Sequence, residues 1–128
     1  MISYGFTRTL DKTFDETVNL ITEELKKEGF GILTRIDVKE KFKEKLDIDF
    51  KNYVILGACN PKSAHEAIQA EENIGLMLPC NVIVYEKDNH TIVSIIRPTT
   101  AMGMINNTEL KKIGERIENK LKQVIDAL

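Results

Sequence analysis

Two short blocks hold both cysteines of the chain: Gly57-Ala58-Cys59-Asn60-Pro61 and Leu78-Pro79-Cys80-Asn81. The first closes an apolar run that reads as a strand and opens a segment that reads as a helix. The second opens another apolar run. Each thiol therefore sits at a strand end, and Cys59 stands just ahead of a helix N-terminus. Unpaired N–H groups there carry partial positive charge, which favours thiolate, so Cys59 is expected to be the more acidic thiol. Helical spacing places His65 further along the same helix, about one turn in. A cationic imidazole there would push the same way. Cys59, His65 and Cys80 are thus the candidate catalytic residues. Cys59, Asn60, His65, Pro79, Cys80 and Asn81 are the candidate ligand-binding set.

Several chemistries fit these residue types. A Cys–His pair is the minimum for nucleophilic catalysis, with a third group to orient the imidazole. Asn60 and Asn81 are the polar side chains near enough in sequence to serve. Two thiols outside a CxxC motif can still form a reversible disulfide if their Cα atoms lie within about 7 Å. Adjacent antiparallel strands would bring the two strand ends to one edge of the sheet. Parallel strands would send them to opposite edges, and spacing alone does not choose. As metal ligands, Cys59, Cys80 and His65 make an open set, whereas structural zinc takes four ligands, commonly with paired-cysteine spacing. No metal is assigned and no cofactor is specified. Against all of these stands packing, because free cysteine is among the most buried residue types. Whether the chain is an enzyme is left open.

Other classes are excluded more simply. Net charge is −2 with both signs interspersed, which argues against a nucleic-acid or anionic-membrane surface. No apolar run approaches the roughly 20 residues of a membrane span. The N-terminal stretch from Met1 to Arg8 does not read as a secretory signal. A cytoplasmic location is the expectation, with free thiols rather than a disulfide. There is no Gly-rich phosphate loop, GxSxG, EF-hand or HExxH pattern. His90 falls in a charged turn and reads as solvated, and Met102-Gly103-Met104 reads as core or contact surface.

The elements that must position the candidate residues follow from periodicity. A chain of 128 residues is read as one domain, 1–128. Ile2 to Thr9 reads as a strand. Thr13-Phe14-Asp15-Glu16 fits a capping box, and Phe14, Val18, Ile21 and Leu25 share a helix face that stops at Gly29. Phe30 to Val38 reads as the second strand. Asp37 caps a short charged helix, Lys39 to Leu46, expected to turn Phe42 and Leu46 inward. Tyr53 to Ala58 reads as a third strand, buried on both sides. Asn60 and Pro61 are a cap and first-turn pair for a helix to about Glu72, with Ala64, Ala67 and Ile68 along it. Gly75 to Pro79 reads as an apolar loop. Asn81–Glu86 and Thr91–Ile96 read as a hairpin about Lys87-Asp88-Asn89-His90. Thr108 caps a last helix with an inner face from Leu110 to Leu128. The order is β-α-β-α-β-α-β-β-α, an α+β fold with helices packed on a mainly antiparallel sheet.

Three blocks of this pattern resemble the family called domain of unknown function 302: Gly29 to Val38, Tyr53 to Pro61 with Ala64, His65 and Ala67, and Ile74 to Glu86. They agree in order and spacing. The resemblance implies a fold similar to one half of the TATA-box-binding protein, and a homodimer. It implies no established activity and supplies no agreed catalytic residues. Taken together, the expectation is a dimeric module that binds or senses a small molecule at a Cys/His-lined apolar pocket beside the Gly75–Pro79 segment. Two alternatives stand beside it. One is a thiol-dependent redox protein or enzyme using Cys59 and His65. The other is an interaction domain whose cysteines are structural.

Overall fold

The computed structural model describes residues 2–128. Eleven elements follow one another: β1 (Gly5–Leu10), α1 (Phe14–Lys27), β2 (Gly31–Asp37), α2 (Val38–Leu46), β3 (Tyr53–Cys59), α3 (Pro61–Ala70), a 3-10 helix (Glu72–Met77), β4 (Cys80–Lys87), β5 (His90–Ile96), α4 (Pro98–Ala101) and α5 (Thr108–Asp126). The strands form one sheet in the order β1-β5-β4-β3-β2, and every neighbouring pair is antiparallel. The α+β class and the sequential order of elements agree with the sequence pattern, with two unforeseen short elements: α4, and the 3-10 helix Glu72–Met77 where the end of α3 and an apolar loop were expected.

Local chemistry explains the boundaries. Thr13 Oγ1 accepts the Glu16 N–H at 3.1 Å and starts α1. Gly29 takes φ +83° beyond its end, a left-handed conformation in which glycine carries no Cβ penalty. Asp37 Oδ1 accepts the Glu40 N–H at 3.0 Å and starts α2. The β4–β5 turn uses Asp88 and Asn89, both at positive φ, the geometry of a two-residue turn matched to strand twist. The last helix is capped by Asn107, one residue ahead of Thr108. Its Oδ1 accepts the Leu110 N–H at 3.0 Å, and its Nδ2 donates to the Ala70 carbonyl at 2.8 Å, tying α5 to the end of α3.

The core lies on one side of the sheet. Val54, Leu56, Val82, Val84, Val93 and Ile95 are all at most 1% exposed. They alternate along β3, β4 and β5 and meet Ile21 and Leu25 of α1 and Leu110, Leu121 and Val124 of α5. This is the burial expected of a sheet face with helices laid across it. The opposite face carries no such layer. Tyr53, Ile55, Ile83 and Tyr85 alternate with the core positions and stay partly exposed. The reading of β3 as buried on both sides is thus corrected: an apolar run has one covered face and one uncovered face. One inner face is also corrected. Helix α2 buries no residue, and Leu46 is 61% exposed. In α3, Ser63 and Ala67 are the buried residues while Ile68 is exposed.

Candidate functional site

The two cysteine blocks do come together. Strands β3 and β4 are adjacent and antiparallel, and Ala58 pairs in register with Cys80. The exit of β3 and the entry of β4 therefore share one rim. Side chains directly across a ladder project to the same face, and successive residues alternate. Cys80 accompanies Ala58 into the core, where they are 6% and 1% exposed. Cys59, next to Ala58, projects from the opposite face and is half-buried. The sheet stands between the two side chains. Both are free thiols.

Their electrostatics run against activation. Burial pushes the Cys80 thiol up to about 11, with the neighbouring Cys59 adding a smaller push in the same direction. Burial also raises Cys59 rather than lowering it. The expected stabilisation of a Cys59 thiolate by α3 fails for a local reason. Asn60 caps the helix itself: its Oδ1 accepts the Ser63 N–H at 3.2 Å, and its carbonyl accepts the Ala64 N–H at 2.9 Å. Pro61 has no N–H to offer. Little of the helix N-terminus is left for a sulfur anion. His65 is exposed on α3 and makes no side-chain hydrogen bond among the described residues. No group of three or more His, Cys, Asp and Glu among the described residues is arranged to hold a metal ion. His90 forms an exposed contact of 2.8 Å between Nδ1 and Asp11 Oδ1.

What the blocks do is interlock. A Cβ added to Gly57 would fall 2.6 Å from Pro79 Cγ and would collide with Thr34 Oγ1. The Pro79 ring thus lies over the bare Cα of Gly57, next to the Leu78–Pro79 peptide, which is cis. Asn60 Nδ2 reaches the Glu28 carbonyl at 3.5 Å, joining the α3 cap to the chain that enters β2. Gly57, Pro79, Asn60 and Cys80 are therefore parts of a joint between strands. A cavity of about 260 Å³ does lie under the Leu76–Asn81 segment, closed on its far side by Pro98, Ala101 and Met102. Pro79, Cys80 and Asn81 contribute to its wall. Cys59, Asn60 and His65 do not.

A larger opening than this one lies on the uncovered face. It measures about 550 Å³, within the range of small-molecule sites. Ile2, Ile83 and Ile96 form its apolar part, and Tyr4, Tyr53 and Tyr85 its aromatic part. Lys51 and Lys87 stand at one end, and Asn81 also lines it. An aromatic row leads into it from α2. Phe42 meets Phe50 edge-on at 5.1 Å, Phe50 approaches Tyr53 at 6.4 Å, and Tyr53 stacks on Tyr85 at 5.2 Å and 12°. The Lys51 ammonium lies 4.8 Å from the centre of the Tyr85 ring, a cation–π distance. Burial raises the Tyr53 phenol, with smaller pushes from Tyr85 and Tyr4, so the three phenols share one locality. Of the residues singled out for their reactive type, Asn81 alone lines this opening. The signal was present as Tyr53, Ile55, Ile83 and Tyr85, apolar at alternate positions where a solvated face would be polar.

Comparison with known proteins agrees with this architecture. The profile of the family described as domain of unknown function DUF302 matches residues 6–128. The chain is also similar to an uncharacterized conserved DUF302 protein from Bacillus stearothermophilus, known from its crystal structure. The two share 35% identity over 98% of each chain, with a TM-score of 0.91. No curated protein matches significantly. The chain belongs to the DUF302 family.

Proposed function

We propose that this member of the DUF302 family is a binding module whose working surface is the uncovered face of the sheet, not the cysteine-bearing rim. One observation carries the reading: side chains alternating with the core positions of β3 and β4 are apolar or aromatic, yet no helix lies over the 550 Å³ trough they frame. An antiparallel sheet that shows one face to water alternates apolar with polar residues. Apolar patches that break that rule mark binding surfaces. The pocket beneath Leu76–Asn81 is smaller, and the thiols near it are held protonated, so thiol chemistry has less support.

The test places a charge in the middle of the trough. Ile83→Glu leaves the core face of β4 untouched. Binding of a neutral apolar fluorophore such as Nile red should fall at least fivefold while circular dichroism is unchanged. Equal binding by wild type and variant refutes the reading.

Self-association is the second part of the proposal. Strand β2 is a sheet edge, and its Leu33 and Ile36 are 66% and 46% exposed, beside exposed Leu46 and Ile48. A bare edge with apolar side chains invites pairing with another copy. Sedimentation equilibrium should give twice the mass of one chain, and Leu33→Lys with Ile36→Lys should give one chain. A monomeric wild type ends this part alone. The free thiols suit a reducing compartment such as the cytoplasm, and no helix among the described residues is long and apolar enough to cross a membrane.

A further inference from the structure

We infer that the occupant of the trough is an amphipathic anion: a hydrocarbon or aromatic body carrying one carboxylate. This rests on the reading of the uncovered sheet face as the binding surface and adds the class of ligand.

The trough is polarised along β4. Lys87, Tyr85, Ile83 and Asn81 alternate on its uncovered face, and at about 3.4 Å per residue they span roughly 20 Å. Cations stand at the hairpin end: Lys87 itself, and Lys51 above the Tyr85 ring. The middle is apolar, with Ile83, Ile96 and Ile2. Among the described residues, no aspartate or glutamate lines the opening. Of the two carboxylates that flank Lys87 in sequence, Glu86 alternates away and accepts a 2.7 Å hydrogen bond from Asn52 Nδ2, and Asp88 lies in the β4–β5 turn outside the trough. The ion pairs formed among the described residues use other cations, so Lys51 and Lys87 have no acidic partner within 4.0 Å.

The remaining polar groups narrow the class. Thr7 and Ser94 hydroxyls are 2.9 Å apart and satisfy each other. The Tyr53 phenol stays protonated, because burial above all, with repulsion from Tyr85 and Tyr4, opposes its ionisation. Phenol O–H groups and ammonium ions donate hydrogen bonds, and a carboxylate accepts them. A cationic ligand would meet two like charges. A neutral polyol would leave the isoleucines without a partner. The apolar middle and the donor-rich end together fit a medium-chain fatty acid or an aryl carboxylate. The ligand is taken as soluble, since a chain of net charge −2 with both signs interspersed offers an anionic bilayer no basic cluster.

Titration of the full chain with octanoate and with 1-octanol, followed by amide NMR shifts, tests this. Octanoate should shift Ile83, Tyr85 and Ser94 and bind about tenfold more tightly than the alcohol, the effect of charge-assisted hydrogen bonds at a partly exposed site. Lys51→Met with Lys87→Met should abolish that preference. Equal affinity for acid and alcohol in wild type overturns the anion while leaving the site in place. No shift on the uncovered face with either compound overturns the site and the inference together. Co-sedimentation with phosphatidylserine vesicles overturns the soluble ligand.

Discussion

Gly57→Ala is the perturbation that tests how the two cysteine-bearing blocks are joined. Alanine normally does better than glycine in a strand, by about 0.5–1 kcal/mol, because glycine loses more chain entropy on folding. Here the added Cβ would sit 2.6 Å from Pro79 Cγ and closer still to the Thr34 hydroxyl. The hydroxyl can rotate away. The proline carbon belongs to a closed ring at the entry of β4 and cannot. Overpacking of this kind costs about 1–3 kcal/mol, and a rigid partner puts the cost in the upper half. The net loss is then about 2 kcal/mol. Unfolding entropy near 2.1 cal/mol/K per residue, over 128 residues, is about 270 cal/mol/K, so each kcal/mol moves Tm by about 4 °C. Differential scanning calorimetry should show Gly57→Ala melting about 8 °C below wild type. In a Thr34→Ala, Pro79→Ala background the same substitution should cost under half as much, because both obstacles are gone. A neutral or stabilising Gly57→Ala would refute the interlock, as would an equal loss in both backgrounds.

Three further outcomes follow from the rim. The folded Cys80 thiol titrates near 11 against an ordinary 9.0; the folded state keeps its proton after the unfolded chain has released it. Its contribution is therefore complete below pH 9 and is lost as pH rises towards 11, amounting to roughly 2–3 kcal/mol across that window. Urea midpoints for Cys80→Ala should fall less steeply than wild type between pH 8.5 and 10.5, and parallel slopes would contradict the burial argument. Asn60→Ala should cost about 1 kcal/mol or more, since it removes both the α3 cap and the tie to Glu28. Asn60→Asp keeps the cap and loses only the donor, so its melting temperature should fall between the two. His65→Ala should leave Tm within about 2 °C, the range of surface substitutions, and a larger drop would mean the imidazole has a partner unseen here.

Much of the architecture was legible because its signals are local. Thr13, Asp37 and Asn60 each cap the helix that follows, and the β4–β5 turn announces itself through Asp88 and Asn89. The last cap was misplaced by one residue because Asn107 and Thr108 are both good caps. Asn107 wins by also holding the Ala70 carbonyl, a contact 37 residues distant that no local rule contains. The site was less legible. The blocks Gly57–Pro61 and Leu78–Asn81 pointed to the right rim, but adjacency in a ladder is not proximity of side chains. Ala58 pairs with Cys80, and that one-residue offset sends Cys59 to the other face. Of the candidate residues, Asn60 caps α3 and Cys80 is buried in the core, while Asn81 lines the trough on the uncovered face.

The uncovered face explains why reading for reactive groups led away from it. A run such as Tyr53-Val54-Ile55-Leu56 looks the same whether both faces meet helices or only one does, because hydropathy records which residues avoid water and not what covers them. The count of covering elements decides. Among the described residues, α1 and α5 supply the layer over Val54, Leu56, Val82 and Val84, and α2, which buries no residue, reaches the far side where Phe42 meets Phe50 edge-on. Ile55, Ile83 and Tyr85 are thus as apolar as a core requires and lack the helix that would make them one. The proposed occupant would supply that cover, and Lys51 and Lys87 at its end, which form no ion pair among the described residues, set the charge it should carry.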